Sequence, residues 1–204
     1  MNKSLMSYTG SNPTQEKQYG ARKYVGDVAT GYDAKRKAAP KWAAEQRIIE
    51  GFIDILEIGS KILDVPVGTG RFIPAYERND HDWRGVDKSV DMLKEAAAKV
   101  TKSKPNVINL STGDATCLDF DDGIFDMSIM CRLTRWLTPE QRTQALKELQ
   151  RVTKSKIVFT ARIANHPYAY PMEDIHAALN EDWELVENIE CGEPDYRVIV
   201  LERR

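Results

Sequence analysis

The residues best suited to chemistry in this chain form a short run, Asp64-Val-Pro-Val-Gly-Thr-Gly70, followed seventeen residues past Gly70 by Asp87. The run starts as an apolar strand, Lys61-Ile-Leu-Asp64, and passes straight into a glycine turn, which brings bare backbone N–H groups up to a ligand. Asp87 closes the next such run, Trp83-Arg-Gly-Val-Asp87, where a carboxylate is placed to accept hydrogen bonds from ribose hydroxyls. Together these residues outline a nucleotide-cofactor site. A dinucleotide fold wants G-x-G-x-x-G with the pyrophosphate on a helix N-terminus. Here an acid precedes the turn, and no glycine stands three residues after Gly70.

The elements that must position these residues alternate. Residues 43–58 carry Ala44, Ile48, Phe52 and Ile55 at helical spacing, with Gly59 as the stop. A strand over 62–65, a helix from about Arg71, a strand over 83–87 and a helix from Val90 follow. A third strand over 107–110 leads to Gly113-Asp114-Ala115, and the almost wholly apolar run 125–131 reads as a central fourth strand. Thr138-Pro-Glu-Gln141 is a capping box with proline at the first helical position. A fifth strand spans 157–161 and a helix 172–179. Two strand-like runs, 183–191 and 196–201, are joined by a turn short enough to force an antiparallel pair. The expected fold is α/β: five parallel strands plus a C-terminal antiparallel pair, seven in all, doubly wound with helices on both faces.

This order of motifs resembles the class I S-adenosylmethionine-dependent methyltransferases, whose first motif is an acid followed by G-x-G-x-G. Pro66 stands where their first glycine stands, while Gly68 and Gly70 keep the close backbone approach. Proline lacks an N–H, so the turn forms only if no donor is needed there. The resemblance covers residues 45–204 and implies a Rossmann-like fold with S-adenosylmethionine as cofactor. It implies that Asp64 lies near the methionine end and that Asp87, with Lys88 beside it, takes the ribose. Asp114 would receive the adenine amino group, with the Ala115 N–H facing the ring and Met92 against the adenine face. The backbone carbonyl of Cys131 would hold the methionine ammonium. Many small-molecule members fold an N-terminal segment over the cofactor, and Tyr32 and Arg36 match its cluster near the methionine carboxylate. Residues 1–18 are expected to be a mobile tail, 19–42 a lid and 43–204 the cofactor-binding domain.

Arg132 and Arg135 flank the expected methyl-transfer site, where a guanidinium fork pointing inward selects a carboxylate or phosphate; either also has the option of facing solvent. Past the fifth strand, His166 is the candidate general base, and Tyr168 and Tyr170 share its loop as candidate acceptor contacts. Neither DNA-base signature is present: Cys131 follows Met130 rather than proline, and Cys-Arg-Leu-Thr replaces the Pro-Pro motif of amino-group enzymes.

The composition sets outer bounds. At 204 residues with 42% hydrophobic residues, the chain suits one well-buried domain. A net charge of −2, from 29 Lys and Arg against 31 Asp and Glu, gives no reason to expect nucleic acid as partner. Three cysteines without a C-x-x-C pair fit a reduced, cytoplasmic protein without a metal site, and no apolar stretch is long enough for a membrane span. The expected function is methyl transfer to the nitrogen or oxygen of a small-molecule acceptor. The alternatives are a cofactor-binding domain without transfer activity, or methylation of protein or RNA.

Overall fold

The computed structural model describes residues 24–101 and 109–204. A seven-stranded sheet runs through the centre in the order β3-β2-β1-β4-β5-β7-β6. Its strands are β1 (Lys61–Asp64), β2 (Asp82–Asp87), β3 (Leu110–Thr112), β4 (Phe125–Met130), β5 (Thr153–Arg162), β6 (Trp183–Glu193) and β7 (Tyr196–Arg203). β1 to β5 are parallel, and β7 alone runs the other way, antiparallel to both β5 and β6. The order reverses between β1 and β4, which opens a crevice beyond their carboxyl ends.

Alternating residues of each strand feed separate cores on the two faces, as the two-residue period of a strand dictates. Leu63, Ile157, Phe159, Ile199 and Leu201 pack on one face against α6 (Pro139–Val152) and α7 (Met172–Ala177). Ile62, Val158, Val198 and Val200 pack on the other, against α3 (Pro40–Asp54), α4 (Ile73–Arg78) and α5 (Val90–Ala97). Two short helices, α1 (Asp27–Thr30) and α2 (Tyr32–Lys37), precede this frame.

The capping box forms as the sequence predicts: Thr138 N–H donates to Gln141 Oε1 at 3.0 Å, and Gln141 N–H donates to Thr138 Oγ1 at 3.3 Å. The helix expected over 43–58 begins and ends earlier, over Pro40–Asp54. Ile49, Phe52 and Ile53 make its buried stripe, whereas Ile55 falls past the last turn and is 70% exposed. The third strand is displaced to Leu110–Thr112, and residues 107 and 108 lie outside the described residues. The tail expected over 1–18, and the lid as far as residue 23, also lie outside them.

Candidate functional site

A cavity of about 270 Å³ fills the crevice at the ends of β1 and β4. Its walls include the turn from Asp64 to Thr69, Asp87 and Lys88 after β2, Gly113 to Ala115 after β3, and Cys131 to Leu133 after β4. The turn begins with a cis Val65–Pro66 peptide, and Pro66 faces the cavity without an N–H to satisfy. Val67 N–H donates to Val86 O at 2.9 Å, and Gly70 N–H closes back on Val67 O at 2.9 Å.

The two glycines of the turn have different jobs. Gly68 sits at φ 54°, and a Cβ there would meet only Met92 Cε, at 4.0 Å, so this side of the turn is open to a ligand. Gly70, at φ 70°, does not line the cavity. A Cβ on it would lie 2.4 Å from Ile73 Cδ1 and 3.0 Å from Ala96 Cα, so its bare face lets the turn seat against α5. Its expected contact with the cofactor is corrected on this ground to one made through the packing of the turn.

Three acids stand at three neighbouring strand ends. Asp64 is buried; Tyr76 Oη–H donates to its Oδ2 at 3.0 Å, while Oδ1 has no hydrogen-bond partner. Burial pushes its carboxyl up to about 8, the charge of Asp87 adding to this and the Tyr76 hydroxyl opposing it. Asp87 accepts the Gly68 N–H at 3.0 Å on Oδ2 and the Ser89 N–H at 2.8 Å on Oδ1. Burial raises it above the usual carboxylate range against these bonds. It therefore fixes both the glycine turn and the start of α5. Asp114 pairs with Lys88 at 2.6 Å and accepts the Thr116 N–H at 3.0 Å. Its partial burial is outweighed by these partners, which hold it below the usual range. Met92 and Ala115 are both buried and complete this wall.

The N-terminal helices close over the opening. Tyr24, Tyr32 and Trp42 line the cavity and contact one another edge-on, with centroids 5.5 Å apart for Tyr24–Tyr32 and 6.2 Å for Tyr32–Trp42. Polar bonds fasten this segment to the glycine turn and to α5 and the residues flanking it. Ser89 Oγ–H donates to Tyr24 O at 2.5 Å, and Gly26 N–H donates to Asp91 Oδ2 at 2.9 Å. Asp33 receives Thr69 Oγ1–H and Lys99 Nζ–H, both at 2.6 Å. Arg36 stacks over the Tyr32 ring at 5.5 Å and does not itself line the cavity.

The residues expected on the acceptor side do not converge. Arg132 lines the cavity, but its fork closes on Glu45 of α3. Arg135 stacks on Trp136 at 5.0 Å. His166, Tyr168 and Tyr170 lie outside the lining. Arg142 gathers their loop by donating to the backbone carbonyls of Tyr168, at 3.1 Å, and Ala169. Tyr170 is buried in the core, which pushes its phenol up to about 12. His166 is held below the usual imidazole range by partial burial and by the charges of Arg162 and Arg135. In place of these residues the cavity gains Trp42, Arg71 and Gln141. Arg71 was visible as the residue after Gly70, and Gln141 as the last residue of the capping box. Nothing in the sequence marks Trp42.

Cys131 lines the cavity, and burial followed by the Glu45 charge keeps its thiol well above the ordinary range. Among the described residues there is no cluster of metal-ligating side chains and no helix long and apolar enough to cross a membrane.

Comparison with known proteins agrees with this geometry. Residues 62–156, from β1 into β5, match a family profile described as a methyltransferase domain. The demethylmenaquinone methyltransferase of Paenarthrobacter aurescens strain TC1 is 33% identical over 130 residues, 63% of this chain and 48% of that protein. The enzyme of the same name from Renibacterium salmoninarum is 33% identical over 119 residues, 58% of this chain and 47% of its own. The chain thus spans about half the length of the curated relatives it matches. Magnesium protoporphyrin IX methyltransferase from Synechocystis PCC 6803, solved with bound S-adenosylmethionine, superimposes with a TM-score of 0.67 at 16% identity, over 98% of this chain and 100% of that one. A TehB-like S-adenosylmethionine-dependent methyltransferase from Corynebacterium glutamicum gives 0.65 at 19% identity, over 95% and 100%. These structural likenesses speak for the fold. Residues 62–156 are thus similar to a methyltransferase domain, and the fold is that of solved S-adenosylmethionine-dependent methyltransferases.

Proposed function

We propose that this chain binds S-adenosylmethionine in the β1–β4 crevice and directs its methyl group to the nitrogen or oxygen of a small-molecule acceptor. The observation that carries this reading is the meeting of Asp64, Asp87 and Asp114 around the open face of Gly68 in one cavity. Such a wall offers acceptors to ribose hydroxyls and an amino group, and Met92 and Ala115 offer an apolar face to a purine. The unpartnered Oδ1 of Asp64 is left to bond a polar group at the other end of the same ligand.

When bound, the cofactor supplies a sulfonium-activated methyl group open to in-line displacement. The chain's own residues then have to align the acceptor and exclude water. Tyr24, Tyr32 and Trp42 are placed to do both, and we assign residues 24–42 as a lid over a domain of residues 43–204. A general base is dispensable if the acceptor arrives as a free amine or phenolate, so His166 is not required by this reading. The near-neutral charge and the curated relatives named for demethylmenaquinone favour a small acceptor over protein or RNA. The three free thiols support a reducing, cytoplasmic setting.

The test is to incubate the chain with methyl-labelled cofactor and, separately, demethylmenaquinone, a panel of small amines and phenols, and a cell extract. Label is expected in the low-molecular-mass fraction. Label entering only protein or RNA would overturn the acceptor class, and bound cofactor with no transfer in any fraction would leave a binding domain without activity.

A further inference from the structure

The cavity has a second pole that the nucleotide wall does not use. Arg71 leaves the glycine turn and Arg132 leaves β4, and both line the cavity. Arg71 Nη1–H donates to Glu45 Oε2 at 2.8 Å. Arg132 Nε–H is shared between Oε1 at 2.9 Å and Oε2 at 2.7 Å, and its Nη2 lies 2.6 Å from Oε2. Tyr196 of β7 also donates its hydroxyl to Glu45. The Glu45 side chain has no exposed surface, and those of Arg71 and Arg132 are only 9% and 16% exposed.

Two guanidiniums therefore share one carboxylate, which leaves one positive charge in excess beside a partly desolvated space. The other groups around it do not cancel that charge. Glu50 bonds Gln46, which accepts from Arg71, and neither Glu50 nor Gln46 lines the cavity. Asp33 is already matched by Lys99. Burial keeps the Asp64 carboxyl, the Cys131 thiol and the Tyr32 phenol in their neutral forms near pH 7. Trp42 faces both cations, 3.7 Å from Arg71 and 5.0 Å from Arg132, which stabilises them without neutralising them. Arg132 is also held in the left-handed backbone region, at φ 61°, by its N–H donating to Thr160 Oγ1 at 2.7 Å. That backbone turns its side chain back towards Glu45, a cost borne at sites where geometry matters.

We propose that Arg71 and Arg132 form a carboxylate-binding subsite, with Glu45 as the positioning residue that fixes both guanidiniums. An arginine pair held in place by a buried acid recognises a planar anion through charge-assisted bonds, and the low local dielectric strengthens them. The carboxylate comes either from the amino-acid end of the cofactor or from the acceptor. The inference rests on the cavity taking S-adenosylmethionine, and it gives Arg71 and Arg132 the role the sequence suggested for Arg36.

Calorimetry with S-adenosylmethionine and its decarboxylated analogue, which lacks only this carboxylate, separates the outcomes. If the cofactor supplies it, the wild-type chain binds S-adenosylmethionine about tenfold or more tightly than the analogue. Arg132→Gln then brings the ratio towards one, and Arg132→Lys restores part of it. A ratio taken within one variant is unaffected by partial unfolding, which lowers both affinities together. If the acceptor supplies it, the ratio is near one throughout. Benzoate then binds the wild-type chain saturated with S-adenosylhomocysteine and fails to bind Arg132→Gln. A wild-type ratio near one without benzoate binding overturns the subsite. So do a ratio and benzoate binding that Arg132→Gln leaves unchanged. Failure of the wild-type chain to bind either cofactor form removes the cofactor reading itself, and the subsite with it.

Discussion

The two halves of the sheet furnish the cavity in different ways. On the β1–β3 side each contact comes from the residue that ends a strand or the few that follow it: Asp64 and the turn to Thr69, Asp87 and Lys88, Asp114 and Ala115. Their positions are set by backbone pairing within and between adjacent strands, so chain order and spatial order coincide. Beyond β4 the coincidence fails. Cys131 and Arg132 reach the cavity, but the direction of Arg132 is decided by Glu45, 87 residues away in the chain. His166, Tyr168 and Tyr170 are drawn elsewhere, Tyr170 into the core. The turn after β1 is built from short-range geometry, whereas the wall beyond β4 is built from side chains whose destinations depend on long-range partners.

The largest expected effect lies within the β1 turn itself. Gly70→Ala forces a side chain into Ile73 and Ala96 at a left-handed φ and is expected to cost about 2–5 kcal/mol of stability in urea denaturation. Gly68→Ala meets no neighbour closer than 4.0 Å and is expected to cost only about 1–2 kcal/mol from its φ, while blocking the ligand face. Equal losses of stability would erase the division of labour between the two glycines.

Asp64 gives a pH test on the same side. Its carboxyl, near 3.8 in an unfolded chain, is held at about 8 in the fold, so the folded chain retains a proton that the unfolded chain has released. Its contribution to stability is therefore full below about pH 4 and declines as pH rises towards 8. Asp64→Asn has no such proton to lose. Its stability relative to wild type, measured without ligand, should improve by up to about 1.4 kcal/mol per pH unit across that window. A pH-independent difference would mean that Asp64 is charged in the fold.

Asp87→Ala removes a charged acceptor and should weaken S-adenosylhomocysteine binding by roughly 1–3 kcal/mol. His166→Ala, across the sheet, should change the affinity less than twofold, by about 0.4 kcal/mol or less. The reverse order would break the contrast between the two halves. The smallest effect is dynamic: amides of residues 24–37 should exchange more slowly with S-adenosylhomocysteine present, because the cap contacts the cavity only through side chains and a few polar bonds. Equal exchange with and without ligand would make the cap a fixed part of the fold.

Most of the architecture was legible because it follows from strand period, helix stripe and capping chemistry. Apart from the displaced third strand, the alternation of strands and helices from residue 62 onward, the Thr138 capping box and the terminal hairpin follow those patterns. The meeting of Asp64, Asp87 and Asp114 in one cavity was legible for the same reason, since strand ends fix them. Gly70 was read as a ligand contact because a glycine bare for packing looks the same in sequence as one bare for binding. The Glu45–Arg71–Arg132 cluster was illegible, because an acid on a helix and two arginines far along the chain give no periodic sign that they meet. Trp42 was hidden likewise, its indole being one more apolar residue at the start of an amphipathic helix.

The most direct measurement is calorimetric titration of the chain with S-adenosylhomocysteine and, separately, with NAD. The wall of Asp64, Asp87 and Asp114 around a turn lacking the third glycine predicts saturable one-to-one binding of S-adenosylhomocysteine and no measurable heat with NAD. Tighter binding of NAD than of S-adenosylhomocysteine would contradict the assignment of this cavity.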